Sequence, residues 1–295
     1  MENQKKAYLY ALSAVLAWST VATAFKIALR YLTFVELLLF SALVSLIVLT
    51  LAMAVLGRFR DLRAYKPRDY FSSALLGFLN PFVYYLVLLK AYSLVPAQVA
   101  QPLNYTWAVV IVIFSIFFLR QKITMTGIAA VLTSYVGVFI ISTQGDLRGF
   151  GSADPRGIFL ALASSVLWAA FWLINIRDRR DAVNKLFLNF LFGCLYALAA
   201  ALAFTRLRMP DIRGIAAAAY VGVFEMGLTF ILWLKALKFS RTTAQVSNLI
   251  FLVPFLSLIL INYVLGERVV WATVIGLALI VAGIGIQQVK KQPLS

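Results

Sequence analysis

Runs of about twenty apolar residues, parted by short polar or basic gaps, recur from one end of the chain to the other. Ten such runs are predicted, near residues 7–29, 33–56, 70–90, 95–119, 123–143, 155–176, 185–205, 213–235, 243–264 and 268–288. At a helical rise of 1.5 Å per residue, each can cross a bilayer core about 30 Å thick. Lipid offers the backbone no hydrogen-bond partner, so each run must satisfy its own amides as a helix. None alternates with period two, which excludes a barrel, and the connections are too short for a soluble domain. The predicted fold class is therefore an all-α polytopic membrane protein with ten transmembrane helices.

Composition agrees, since 63% of the 295 residues are hydrophobic and 13% charged. The net charge of +16 would suggest nucleic acid in a soluble domain, but here the basic residues lie in the gaps between apolar runs. With the N-terminus in the cytoplasm, 18 Lys and Arg fall in cytoplasmic segments and 8 in outer ones, with Lys26 inside the first span. That asymmetry predicts an even number of spans with both termini cytoplasmic, and basic residues so placed mark membrane topology rather than a nucleic-acid partner. Histidine is absent and Cys194 is the single cysteine. Zinc sites, intrachain disulfides and histidine-based triads are thereby excluded. No dinucleotide fingerprint is present, and no cofactor is expected.

The two halves of the chain echo each other. An offset of 145 sets GFLNPFVYYLVLLKA (77–91) on GVFEMGLTFILWLKA (222–236), with Asn80 on Glu225 and Tyr84 on Thr229. An offset of 150 sets Trp18 on Trp168, and an offset of 147 sets AQVAQ (97–101) on AQVSN (244–248). A five-span repeat is odd-numbered, so its second copy enters the membrane upside down. The expectation is two five-helix inverted-topology repeats, 1–146 and 147–295, with a solute site at their interface near the midplane.

Polar residues inside the spans nominate that site. Glu225 lies close to the middle of the eighth run, where a carboxylate is costly and faces a protein interior or a water-filled cavity. Helical spacing puts Gly77, Asn80 and Tyr84 on one face, and Gln98, Gln101 and Tyr105 on another. Gln245 and Asn248 repeat the second arrangement, while Ser164, Trp168, Trp172 and Asn175 form a stripe on the sixth span. The simplest geometry converges these faces on one cavity and leaves the second, fifth, seventh and tenth spans outside. For Gln98, Gln101, Gln245 and Asn248 a second reading stands beside cavity lining, that of amide glue between helices. Trp107, Trp168 and Trp172 lie deeper than the aromatic belts to which Tyr8, Tyr10, Tyr31 and Trp271 are assigned. Lys26 and Glu36, near outer span ends, are expected to snorkel. Gly127, Gly137, Gly276, Gly283 and Gly285 are expected to allow close helix approach, and Pro96, Pro102 and Pro254 to interrupt the fourth and ninth spans.

Trp18 and Trp168, the Leu-Lys-Ala endings at 89–91 and 234–236, and Pro254 followed by Leu265-Gly266-Glu267 carry a resemblance over nearly the whole chain. It resembles the ten-helix drug/metabolite transporter superfamily, in particular its EamA-type exporters, and within them the bacterial aromatic amino acid exporters. The first copy departs from the pattern, with Leu119-Arg120-Gln121 for a Leu-Gly-Glu turn and Trp107 where the second copy has Pro254. The resemblance implies a bacterial inner-membrane protein and efflux of small metabolites from cytoplasm to periplasm through a central cavity, with no prosthetic group.

A carboxylate with amides and rings suits a solute bearing an ammonium and an aromatic or apolar body. In this reading Glu225 takes the ammonium, and Asn80, Gln98, Gln245 or Asn248 takes a carboxylate. Tyr84, Tyr105, Trp107 and Trp168 contact the side chain. Phosphorylated solutes would call for Arg or Lys on these faces, which lack them. The expectation is a secondary transporter, monomer or homodimer, exporting aromatic and other neutral amino acids by alternating access. The alternative is an exporter of lipophilic cations, and a membrane enzyme fits least, since one carboxylate without histidine makes poor acid–base machinery.

Overall fold

A computed structural model describes residues 2–107, 109–110, 113–114, 125–146, 153–205, 210–240 and 248–289, and every regular element among them is helical. In chain order these are α1 (Glu2–Ala28), α2 (Phe34–Val55), α3 (Pro67–Gly77), α4 (Tyr84–Leu94), α5 (Ala97–Asn104) and α6 (Met125–Thr143). Then follow α7 (Pro155–Arg177), α8 (Ala182–Phe204), α9 (Ile212–Val221), α10 (Leu228–Phe239), α11 (Leu252–Leu260) and α12 (Trp271–Val289). Among the described residues six helical stretches are long and apolar enough to cross a membrane: 4–28, 34–55, 67–94, 155–175, 182–204 and 212–233. These coincide with six of the expected spans. Shorter apolar helices occupy 131–141, 252–265 and 271–286.

Helix starts are set by carboxylates, which accept the amides that a first turn leaves unpaired. Asp154 accepts from Arg156 N at 2.8 Å, Asp181 from Val183 N at 2.9 Å, and Asp211 from Arg213 N at 2.8 Å. Thr33 and Glu36 form a reciprocal capping box at the start of α2. Glu36 is therefore turned back on its own helix end rather than snorkelling.

Two membrane helices are broken in the middle. The third expected span, 70–90, divides into α3 and α4 at a wide π-helical turn, Phe78–Val83. Within it Asn80 leaves helical geometry altogether, at φ −148° and ψ 120°, before a cis bond to Pro81. Pro81 has no amide to donate, and its ring excludes the carbonyl one turn back. The eighth span divides in the same way into α9 and α10 around a second π-helical turn, Gly222–Gly227. The even helical face expected for Gly77, Asn80 and Tyr84 does not exist, because the break separates them.

Glycines bring backbones together at three seams. A side chain on Gly193 would meet the Pro81 ring at 2.5 Å, so α8 lies directly against the break between α3 and α4. Gly137 and Gly276 face each other across α6 and α12, where each would collide with the other's carbonyl oxygen. A side chain on Gly222 would meet the Ser41 carbonyl oxygen at 2.6 Å. Such seams replace the hydrophobic drive that lipid removes. Gly285 differs from expectation, since its Cα faces open space.

One end of the bundle is tied by ions. Arg58 pairs with Asp181, and Asn184 Nδ2 donates to Asp61 at 3.2 Å. Arg180 grips Asp178 with Nε at 3.0 Å and Nη2 at 2.6 Å, and its Nη1 donates to the Asp69 carbonyl at 2.7 Å. The connection after α2 is thus clasped to the one after α7. Burial pushes the Asp178 and Asp181 carboxyls up, but bonds from Arg180 and Arg58 outweigh it and hold both below the ordinary carboxylate range. The clasp therefore contributes stability at neutral pH and loses it as pH falls through those lowered values. Arg180→Ala is expected to cost about 1.5–3 kcal/mol, the range for hydrogen bonds to charged groups. Thermal unfolding in detergent checks it: the gap from wild type should be wide at neutral pH and close in strong acid.

Candidate functional site

Glu225 is unlike the other acids of this chain. Glu36, Asp69, Asp154, Asp181, Asp211 and Glu267 all receive backbone amides at helix starts. Glu225 instead stands in the π-helical turn between α9 and α10, mid-span. The widened turn turns its side chain toward the interior, where Tyr85 Oη donates to its Oε1 at 2.9 Å. Trp18 Nε1 donates to the Glu225 carbonyl oxygen at 3.4 Å. Both partners lie in the first half of the chain, so the carboxylate is held across the molecule.

The carboxylate opens on a cleft whose walls enclose about 580 Å³, including the part open to solvent. α1 supplies Trp18, Val21, Ala22 and Phe25; α4 supplies Tyr84, Leu88 and Tyr92. Gln101 and Asn104 come from α5, with Tyr105 and Trp107 just beyond it, Trp168 from α7, and Ile250 from the turn before α11. The wall draws on the first, third, fourth, sixth, eighth and ninth spans. Among the described residues no lining residue comes from the expected second, fifth, seventh or tenth span.

Rings dominate that wall. Tyr84 packs on Trp168 at 4.8 Å between centroids, Trp168 on Phe230 at 6.0 Å, and Trp18 edge-on to Phe230 at 6.0 Å. A polar thread runs through them. Asn104 accepts from Tyr84 Oη at 3.4 Å and donates through Nδ2 to Ser164 at 2.8 Å. Gln101 donates to Ser257 at 2.7 Å, and Ser257 donates to the Ser19 carbonyl at 2.6 Å. The Gln101 side-chain oxygen, Oε1, is buried without a partner among the described residues. Among the described residues no Lys or Arg lines the cleft.

Of the residues nominated from sequence, Glu225, Tyr84, Tyr105, Trp107 and Trp168 meet in this cleft. Asn80 does not; it is buried in the break against α8, and its side-chain oxygen has no partner there. Gln98 does not either. It sits in the first turn of α5, where it donates to the Arg268 carbonyl at 2.8 Å and accepts from Val270 N at 3.2 Å. Glue between helices is what the structure assigns it. Gln245, and the side chain of Asn248, lie outside the described residues. Lys26 is turned inward rather than snorkelling, with Nζ donating to the carbonyls of Tyr92 at 2.9 Å and Val95 at 3.1 Å.

Asn104, Tyr92 and Tyr85 escaped the sequence reading. Asn104 is three residues after Gln101, a helical spacing that was available as a signal. Tyr85 had none, because only the break at Asn80 sets its direction.

The profile of the EamA-like transporter family matches residues 5–143 and 155–286. An uncharacterized transporter of Clostridium kluyveri is 30% identical over 217 residues, covering 71% of this chain and 69% of its own. The uncharacterized transporter YvbV of Bacillus subtilis is 25% identical over 265 residues, covering 86% and 83%. Inner membrane protein YtfF of Escherichia coli is 29% identical over 185 residues, covering 60% and 57%. A solved crystal structure superposes with a TM-score of 0.67 at 22% identity over 97% of each chain, which establishes a shared fold. With its membrane-length helices, its aromatic cleft and a family match over both halves, this multi-pass membrane protein belongs to the EamA-like transporter family.

Proposed function

We propose that this transporter exports neutral amino acids, aromatic ones among them, and related small metabolites by alternating access through the central cleft. The carrying observation is the Glu225 carboxylate, presented mid-span to a cleft walled by Tyr84, Trp168, Trp18 and Tyr105. A desolvated carboxylate attracts an ammonium, and ring faces add cation–π and apolar contact for the rest of the solute. The family's efflux character, its ten helices in two inverted five-helix halves, and a bacterial inner-membrane location with cytoplasmic termini belong to the same reading. Two features support the inverted halves: the π-helical turns at 78–83 and 222–227 fall on matching positions of the repeat, and the family match divides near residue 147. The name of the Escherichia coli relative supports the location.

A second reading, export of lipophilic cations, is favoured by one observation: among the described residues no Lys or Arg lines the cleft to receive a carboxylate. Counterflow in proteoliposomes separates the two. Labelled phenylalanine, tryptophan, threonine and methionine should exchange in the first case. Exchange of tetraphenylphosphonium alone would decide for the second, and exchange of neither would end both.

A further inference from the structure

We propose that a second cavity, between α1, α4 and the turn before α12, is an outer vestibule that binds the carboxylate of the solute. This rests on the export reading above and names a separate site for the other end of the same molecule. The cavity spans about 580 Å³, counting the part open to solvent, and is lined by Lys26, Arg30, Tyr92, Ser93, Leu265 and Glu267 among others. It lies at the end of the bundle opposite the Arg58–Asp181 clasp, the end that the charge count assigns to the outside.

Its charges do not cancel. Glu267 accepts from Ala97 N at 3.2 Å and Gln98 N at 3.3 Å, at the start of α5, so its charge faces the positive end of that helix. Lys26 uses donors on two carbonyls, and an ammonium has three, so one remains. Arg30 is exposed, and its guanidinium has no hydrogen-bond or ion-pair partner among the described residues. What remains is an unanswered guanidinium beside a partly used ammonium, which suits one small carboxylate.

Position ties the vestibule to the solute path. Tyr92 lines both cavities, and its ring packs on Phe25 of the central cleft at 5.2 Å. A solute that passes this ring pair leaves a chamber with a carboxylate and no described cation, and meets two cations beside one carboxylate, Glu267, that is tied to the start of α5. The ammonium is thus received in the centre and the carboxylate at the mouth.

The test is saturation-transfer NMR on protein in phosphatidylcholine nanodiscs, with benzoate and phenethylamine as the separate halves of the solute. Benzoate is expected to bind wild type and Glu225→Gln alike. Arg30→Gln should weaken it about fivefold or more, at the upper end for an exposed ion pair. Phenethylamine should show the reverse dependence. Arg30 carries the test because it supports no neighbour, whereas Lys26 holds the end of α4. Benzoate binding that is absent in wild type, or indifferent to Arg30→Gln, overturns the proposal. So does benzoate binding abolished by phosphatidylglycerol discs, which would make the cavity a lipid headgroup site. Missing amino acid counterflow would instead overturn the export reading, while the benzoate titration still reports on the vestibule.

Discussion

Glu225→Gln is expected to lower transport of an ammonium-bearing solute by about ten- to a hundredfold. A hydrogen bond to a charged group contributes about 1.5–3 kcal/mol, and each 1.4 kcal/mol is tenfold in affinity. The variant keeps the shape of the side chain and an acceptor for Tyr85 Oη at the same position, so folding should be preserved. The loss should therefore appear in initial counterflow rates, with the unfolding temperature unchanged. Tyr85→Phe provides a graded companion: it leaves the charge and removes the bond that aims it. A loss of about tenfold or less is expected, consistent with one hydrogen bond to a carboxylate. Undiminished rates in Glu225→Gln at every pH would remove the carboxylate from the solute site.

Gly193→Val should be strongly destabilising, although it lies outside the cleft. Its Cβ would lie 2.5 Å from both Cδ and Cγ of Pro81 and 3.1 Å from the Gly77 carbonyl oxygen. The proline ring is rigid and the carbonyl is backbone, so neither gives way as a flexible side chain would. Overpacking of this kind costs about 1–3 kcal/mol or more, and here it would push α8 off the break in the third span. Gly285→Val is the control, because nothing lies within 4 Å of its Cβ position. Thermal unfolding in detergent should separate the two: a clear drop for the first and little change for the second. Since α3 and α4 meet at that break, Gly193→Val should also displace Tyr84 and Tyr85 and lower transport, although it touches no solute.

The notable feature of the site is its division of labour between regular and irregular backbone. Broken helices in a membrane are tolerated where protein surrounds them, and the residues buried here are Asn80 and Pro81 at one break and Gly222, Met226 and Gly227 at the other. The break at 222–227 presents Glu225, and the break at 78–83 sets the directions of Tyr84 and Tyr85. The repeat pairs Asn80 with Glu225, yet the two do different things. Asn80 is spent at the kink against α8, and only Glu225 reaches the cleft. An alignment of the two halves identifies equivalent positions, not equivalent environments.

Hydropathy and charge count by themselves determined that this chain lives in a membrane, that it is helical, and roughly where six of its spans lie. Helical spacing, the repeat and depth within the spans also singled out Glu225, Tyr84, Tyr105, Trp107 and Trp168. These conclusions follow from local quantities: a lipid solvent penalises each unpaired amide and each charge where it stands, whatever the rest of the chain does. Tertiary structure alone decided which polar groups were already engaged. Gln98 is bound to 268–273, Lys26 to the end of α4, and Glu267 to the start of α5, each partner far along the chain. A polar side chain buried in lipid takes the nearest partner in space, and sequence spacing carries no record of that distance. The same distance brought Tyr85, 140 positions away, to the carboxylate of Glu225.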